Sequence, residues 1–166
     1  DWYRYDPLPG VTNITPINGT NVSLSSTVMI GANVTDNIAV SVVSANITLP
    51  NGTLITLTLV RSGTTDTYNN TFSTTGLLGL YSIRIIANDT SVHLNFNTTT
   101  ISSFNVVDTT PPAVFDVRPF NYSSFNVLNT ITVSANVTDV INVSIVKSNI
   151  TLPNGTISTL SLTQDS

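Results

Sequence analysis

The fold is decided by residues 28–59, which read VMIGANVTDNIAVSVVSANITLPNGTLITLTL. Apolar and polar side chains alternate at the start of this stretch, which places four apolar residues on one face: Val28, Ile30, Ala32 and Val34. A period of two residues is typical of a β-strand with one buried face, whereas a helix repeats every 3.6 residues. The stretch therefore predicts strands that cover a core with one face.

The rest of the first hundred residues continues this pattern. The tripeptide Pro-Asn-Gly at 50–52 signals a tight hairpin, and the alternation resumes beyond it over 55–59. Further strand-like segments surround residues 68–72, 81–87 and 101–106. About seven short strands with turn signals every 8–12 residues predict an all-β fold of the sandwich type.

The composition excludes several classes of function. Of the 166 residues, 40% are apolar and 8% are charged, with five Lys and Arg against nine Asp and a net charge of −4. Scattered cations exclude a nucleic-acid footprint, and no apolar run approaches the roughly 18 residues that span a bilayer. The lack of Cys excludes disulfide scaffolds and zinc clusters. Because residue 1 is not Met, we expect an excerpt or a processed product of a longer protein.

An internal repeat organises the chain. At an offset of 103, residues 9–63 align without a gap to residues 112–166, and 25 of the 55 aligned positions are identical. The motif ANVTD recurs at 135–139 and NITLPNGT at 149–156. The predicted organisation is an aromatic N-terminal leader (1–7), a sandwich (8–107), a Pro-Pro linker (108–112) and the first half of a second sandwich (113–166).

Several motifs of the repeat carry a family resemblance. The DTTPP linker at 108–112, the ANVTD strand end and the ITLPNGT hairpin resemble the immunoglobulin-like and fibronectin-III-like modules of archaeal and bacterial cell-surface proteins. Tyr81-x-Ile83-x-Ile85-x-Ala87 resembles the penultimate strand of such modules, in which a tyrosine corner ties the strand to a preceding loop. The chain departs from immunoglobulin domains in having neither a cysteine pair nor a core Trp. The resemblance implies tandem immunoglobulin-like sandwiches, the second incomplete within this chain.

The chain is rich in Asn-X-Ser/Thr sequons. It holds 14, where roughly six are expected by chance from its composition. In half of them the middle residue is apolar, as at Asn33 and Asn46, and strand alternation produces such triplets by itself. The other seven mostly look like turns and are the better acceptors: Asn18, Asn51, Asn69, Asn88, Asn97, Asn121 and Asn154. We expect covalent N-glycans, on these residues and on Asn33 and Asn46, to hydrate a surface with few charges.

Oxygen-bearing side chains fall in predicted loops that share one pole of the sandwich with the incoming linker. The candidate ligands are Asp6, Asp36, Asn37 and Asp89 in the first repeat and Asp108 and Asp139 in the second. Oxygen ligands from two loops and a linker suit a hard cation, so calcium is the candidate cofactor. The alternative is that these Asp residues cap turns through their own backbones.

Residues for catalysis are sparse. The single His93 lies in a predicted loop, and no GxSxG motif accompanies the abundant Ser and Asp. Hydrolysis by paired carboxylates requires a cleft, which small sandwiches with short hairpins rarely form. We therefore expect a protein that is not an enzyme.

The second repeat ends half-way, without the three strands that cover the first. An uncovered apolar face costs about 1.5–3 kcal/mol for each large side chain. Two resolutions stay open, because further repeats of the same protein or copies of itself can add the strands. Both predict a structural module of an elongated extracellular filament, stalk or surface layer at the cell surface. The alternatives are a spacer of a secreted hydrolase, or an adhesin that binds carbohydrate or protein through pole loops, with Phe96 and Tyr122 as candidate rings.

Overall fold

The computed structural model describes residues 6–91, 95–98 and 101–165. The chain divides into two compact units, Asp1–Thr109 and Thr110–Ser166. The described residues form strands and turns but no helix, and so include no helix able to cross a membrane. The predicted all-β fold class is therefore confirmed.

The described part of the first unit contains nine strands. They are β1 (Gly10–Thr15), β2 (Thr20–Ser23), β3 (Thr27–Thr35), β4 (Val40–Thr48), β5 (Leu54–Arg61), β6 (Thr67–Ser73), β7 (Gly79–Asp89), β8 (Phe96–Asn97) and β9 (Ile101–Val107). Two of them, β1 and β2, come before the first strand that the alternation predicts, because their apolar positions are too few to show a period.

The nine strands form two layers. In one layer β3 is antiparallel to both β1 and β6. In the other layer the strand order is β5-β4-β7-β9-β2, and all neighbours are antiparallel except β2, which runs parallel to β9. The short β8 also pairs with β7. Strand β5 joins the layers, because its last residues, Val60 and Arg61, pair with β6. Strands β1, β3 and β6 match A, B and E of the immunoglobulin fold, and β4, β7 and β9 match C, F and G, which confirms the predicted immunoglobulin-like sandwich.

The core lies between the two layers, as the alternation predicts. The four apolar residues of β3 from Val28 to Val34 are buried, whereas Met29 between them is exposed. Opposite them, β7 buries Tyr81, Ile83 and the apolar residues that follow at the same spacing. This pattern is the expected one for a sheet that has one face in the core and the other in water.

Three aromatic rings occupy the centre of this core. Tyr81 stacks on Phe104 with ring centroids 4.9 Å apart, and Phe72 meets both rings edge-on at 6.1 and 6.4 Å. Such ring pairs contribute about 0.5–1.5 kcal/mol beyond the area that they bury. Because Phe72 lies on β6 and the other two rings lie on β7 and β9, the cluster holds the two layers together.

The tyrosine corner expected from the family resemblance is present. The hydroxyl of Tyr81 donates a hydrogen bond to the carbonyl oxygen of Leu77 at 3.0 Å and lies 3.0 Å from Thr75 Oγ1. Leu77 and Thr75 belong to the connection that leads from β6 into β7. The bond therefore fixes this connection to the buried strand.

The second unit consists of two separate strand pairs among its described residues. Strand β10 (Ala113–Arg118) pairs with β11 (Ser134–Thr138), and β12 (Val146–Thr151) pairs with β13 (Ile157–Leu162). Each pair repeats features of the first unit at the offset of 103. The register shift after Thr12 in β1 recurs after Phe115 in β10. The β4–β5 hairpin recurs between β12 and β13, with Gly155 at φ 83° in place of Gly52 at φ 84°.

One position in β3 has no room for a side chain. A Cβ on Gly31 would lie 2.8 Å from the carbonyl oxygen of Tyr68 and 3.0 Å from Cβ of Asn69 in the neighbouring β6. Because backbone would have to move, we expect Gly31→Ala to lower the free energy of unfolding of the first unit by about 1–3 kcal/mol, measured by thermal or chemical denaturation. In the control Gly10→Ala, the new Cβ meets the rotatable hydroxyl of Thr35 at 3.3 Å and the carbonyl oxygen of Thr35 at an ordinary contact distance of 3.7 Å, and we expect a change within about 0.5 kcal/mol. Equal melting temperatures for the two variants would contradict the close approach of β3 and β6.

The tyrosine corner also makes a testable contribution. Tyr81→Phe keeps the buried ring and removes the hydroxyl that donates to Leu77, so we expect a loss of about 0.5–1.5 kcal/mol in the free energy of unfolding. Thr75→Val is the control, because it leaves Tyr81 able to donate to Leu77, and its effect should be smaller. A Tyr81→Phe variant as stable as the unmodified chain would show that the corner contributes nothing.

Candidate metal site

Three acidic residues from distant parts of the sequence meet at one pole of the first unit. Asp6 lies in the segment that enters the sandwich, Asp36 follows the last residue of β3, and Asp89 is the last residue of β7. Strands β3 and β7 belong to different layers. The pole therefore gathers one carboxylate from each layer and one from the entering segment.

The three carboxylates lie within the range of a shared cation. One oxygen from each residue lies within 4.8 Å of the others, and two oxygens on opposite sides of one Ca²⁺ are about 5 Å apart. At this separation, the repulsion between two carboxylates is on the order of 3 kcal/mol at an effective dielectric constant of 20. Among the described residues, none of the three forms an ion pair with Lys or Arg that would offset this repulsion.

Local hydrogen bonds hold two of the carboxylates through a single oxygen each. Oδ1 of Asp36 accepts from the backbone N–H of Ile38 at 2.8 Å. Oδ1 of Asp89 accepts from the backbone N–H of Ser91 at 3.0 Å and from its hydroxyl at 2.8 Å. Both arrangements are Asx-type turns, in which a side chain binds the backbone two residues further on. The turn-capping alternative thus accounts for one oxygen of each carboxylate.

The third carboxylate is positioned by Asn95. The side-chain amide of Asn95 donates to Oδ2 of Asp6 at 3.0 Å and to its carbonyl oxygen at 3.1 Å. The backbone carbonyl oxygen of Asn95 in turn accepts a hydrogen bond from the backbone N–H of Asp89 at 3.1 Å. Asn95 therefore connects the entering segment to the end of β7. Neither the residue type of Asn95 nor its spacing from the three aspartates predicts this role from the sequence.

One oxygen of each carboxylate is buried and has no hydrogen-bond partner among the residues that the structure describes. These oxygens are Oδ1 of Asp6, Oδ2 of Asp36 and Oδ2 of Asp89. Asp89 is fully buried, at 0% exposure, while Asp6 and Asp36 are half-buried. Burying an unpaired carboxylate oxygen is costly, so such groups normally bind a donor or a cation. The arrangement therefore offers three oxygen ligands to one ion.

The remaining candidate ligands, Asn37, Asp108 and Asp139, are not among the three carboxylates that meet at this pole. Asn37 is exposed beside Asp36. Asp108 follows β9 in the first unit, whereas Asp139 belongs to the second unit and caps a turn there, with Oδ1 accepting from the N–H of Ile141 at 3.0 Å. His93 and the leader residues 1–5 lie outside the described residues.

The sequons divide between turns and strands. Four that were predicted as turns lie in exposed turns: Asn18, Asn51, Asn121 and Asn154. Three others lie in strands instead, Asn69 in β6, Asn88 in β7 and Asn97 in β8. The side chains of Asn69 and Asn88 alternate with buried ones, whereas Asn97 is half-buried beside the exposed Phe96. The amide nitrogen of Asn97 donates to the carbonyl oxygen of Pro9 at 3.0 Å, and this is the atom to which a glycan attaches.

Asn33 and Asn46 lie on the outer faces of β3 and β4. Their side-chain oxygens accept from the hydroxyls of Thr67 and Thr56 on neighbouring strands, at 2.9 and 2.8 Å. Such cross-strand polar pairs stabilise a solvent-facing sheet surface. These two sequons are thus also used as structural pairs.

No family model and no curated protein matches the chain. Among solved structures, it is similar to CopC from Methylosinus trichosporium OB3b, with a TM-score of 0.45 and 13% identity over 62% of this chain and 97% of that one. It is also similar to the fibronectin(III)-like modules of Clostridium thermocellum CbhA, with a TM-score of 0.43 and 18% identity over 92% and 73%. A third similar structure is the complex of Dpr2 Ig1–Ig2 with DIP-Theta Ig1–Ig3, with a TM-score of 0.36 and 12% identity over 93% of this chain and 54% of that one. All three TM-scores lie below 0.5, so the fold assignment stands on the strand pairing itself.

Proposed function

We propose that the chain is a non-enzymatic structural part of an extracellular assembly, in which β-sandwiches of this kind follow one another along a filament, stalk or surface layer. The observation that carries the proposal is the place at which the strands of the second unit end. These strands end at the positions beyond which their counterparts in the first unit are hydrogen-bonded to β6, β7 or β9.

The strand ends can be compared at the offset of 103. Strand β11 corresponds to residues 31–35 of β3, the part that pairs with β1, and it lacks the part that pairs only with β6. Strand β12 corresponds to residues 43–48 of β4, the part that pairs with β5, and it lacks the part that pairs only with β7. A ladder cannot continue without a partner. Both truncations are therefore expected of a sandwich whose last three strands are supplied from elsewhere.

Exposure of the apolar face supports the same conclusion. Val28 is 7% exposed, whereas its counterpart Ile131 is 45% exposed, and Leu49 at 6% compares with Leu152 at 42%. An isolated two-stranded pair is marginally stable in water. We infer that strands equivalent to β6, β7 and β9 complete the second unit, from further repeats of the same protein or from a copy of it.

A structural role agrees with the chemistry of the surface. A shallow depression lies on the outer face of β4, β5, β7 and β9 and is lined by Asn46, Thr48, Leu54, Ser82, Ile83, Arg84 and Ile101. Arg84 is the one titratable residue of this lining, so the lining itself offers no acid–base pair for catalysis. The exposed turn sequons at Asn18, Asn51, Asn121 and Asn154 support a glycosylated, extracellular surface.

A chimera tests the strand-completion model. Residues 1–166 are extended by a second copy of residues 64–107, which supplies strands equivalent to β6, β7 and β9. We expect the 166-residue chain to associate in light scattering and to bind a hydrophobic dye, because the apolar face of its second unit is open. The chimera should be monomeric, bind less dye and show a second cooperative unfolding transition.

The control chimera carries Ile83→Asp and Ile85→Asp in the added copy alone, which places charges on the face that has to enter the core. It should behave like the unextended chain. A monomeric 166-residue chain that binds no dye would contradict the proposal, as would a chimera indistinguishable from its control.

Glycosylation gives a separate prediction. Intact-mass measurement of native material should show added mass that a peptide N-glycosidase or chemical deglycosylation removes, with occupancy highest at Asn51 and Asn154. Both side chains lie in hairpin turns and form hydrogen bonds through Oδ1, which accepts from the N–H of Thr53 in Asn51 and from the N–H of Thr156 in Asn154. The side-chain nitrogen, to which a glycan attaches, therefore stays accessible. Asn97 should be unmodified because its nitrogen donates to Pro9. A native mass equal to that of the bare polypeptide would contradict this prediction.

A further inference from the structure

We propose that Asp6, Asp36 and Asp89 bind one Ca²⁺, which fastens the segment entering the first unit to both layers of its sandwich. The ion would use the three oxygens that local hydrogen bonding leaves over. Water molecules and neighbouring carbonyl oxygens complete the six to eight ligands that Ca²⁺ takes.

The buried state of Asp89 distinguishes this trio from an ordinary acidic patch on a surface. Its side chain is fully buried, and one oxygen is held by two hydrogen bonds from Ser91. Within the part of the chain that the structure describes, the other oxygen has no hydrogen-bond partner and is shielded from water, and the residue belongs to the cluster of three acids. A carboxylate in that position is strongly stabilised by a bound cation.

In the other two carboxylates, too, one oxygen forms a local hydrogen bond and the second is available to the ion. Asp36 uses Oδ1 to cap its turn, and Asp6 uses Oδ2 to bind Asn95, so each has one buried oxygen left over. Hydrogen bonds to ligating carboxylates are a regular feature of metal sites, because they fix the direction of the ligand. Turn capping and ion binding are therefore compatible at these residues.

The chemistry of the donors favours calcium. All three ligands are hard carboxylate oxygens, whereas zinc and copper sites prefer His or Cys. Mg²⁺ demands a nearly ideal octahedron at 2.0–2.1 Å, while Ca²⁺ accepts irregular geometry at 2.3–2.6 Å. Three carboxylates from three separate segments are not held to an octahedral arrangement by any one element, which suits the larger and more tolerant ion.

The position of the site indicates its role. Strand β3 belongs to the layer of β1 and β6, strand β7 belongs to the layer of β4 and β9, and Asp6 precedes both in the chain. One ion would therefore cross-link three segments that are distant in sequence, in a chain that has no Cys to form a disulfide cross-link. The inference concerns the first unit alone and does not depend on how the second unit is completed.

The test is calcium titration of the full 166-residue chain after treatment with a chelator. Isothermal calorimetry should give one site per chain with a dissociation constant of about 0.1–1 mM, the range of extracellular calcium modules. At 10 mM CaCl₂, the melting temperature of the first unit should rise by roughly 5–15 °C. The same concentration of MgCl₂ should give a clearly smaller rise.

Matched variants separate ion binding from a purely structural role. Asp89→Asn and Asp36→Asn keep the oxygen that accepts the local hydrogen bonds but remove a charge, so calcium affinity should fall at least about 10-fold. Without calcium, both variants should melt at or above the temperature of the unmodified chain, because the repulsion within the cluster is reduced. Asp66→Asn, in the exposed pair with Arg61, removes the same charge outside the site and should bind calcium normally.

Three results would overturn the proposal. The first is a melting temperature that does not respond to calcium up to 10 mM. The second is an equal response to calcium and magnesium, which would indicate general screening of charge. The third is an Asp89→Asn variant that keeps the full calcium response or is less stable than the unmodified chain without calcium.

Discussion

The structure of the first unit depends on the contact between two apolar sheet faces. The layer of β3 and β6 covers β7 and β9, and the stacked rings of Tyr81 and Phe104 fill the centre of the contact. Neither layer is stable without the other, because each would expose a continuous apolar surface to water. The same requirement explains the second unit, whose two strand pairs repeat half of this arrangement and leave the corresponding face open.

The contact between the layers also creates the acidic pole. Once β3 and β7 are stacked, the residues that end them come together, and the entering segment brings a third carboxylate to the same place. Three like charges at such distances oppose folding unless a cation offsets them. An ion that cross-links the entering segment to both layers would resist separation of this segment by force. The cross-link would be reversible and would respond to the calcium concentration of the surrounding solution.

Much of the fold could be predicted from the sequence, because the alternation of apolar and polar residues along a strand indicates which of its faces is turned to the core. The buried faces of β3 and β7 follow from it residue by residue, as does the hairpin at Pro50–Gly52. The topology of an immunoglobulin-like sandwich then predicts that Asp36, Asn37 and Asp89 lie near Asp6 at one pole, and in the structure one oxygen from each of the three aspartates lies within 4.8 Å of the others. The role of Asn95 and the hydrogen bond of Asn97 to Pro9 could not be predicted, since each joins residues distant in sequence and no periodic signal marks them.

A complete pair of layers, and not the strand sequence alone, stabilises each unit. Amide hydrogen exchange on the 166-residue chain at high dilution is the sharpest test of this stabilisation, because β3 and β11 share the sequence Ala-Asn-Val-Thr, whereas β3 has partner strands on both sides and β11 pairs with β10. Stabilisation by paired layers predicts slow exchange in β3, β4, β7 and β9 and exchange faster by orders of magnitude in β10 to β13. Equal protection of β3 and β11 at high dilution would contradict it.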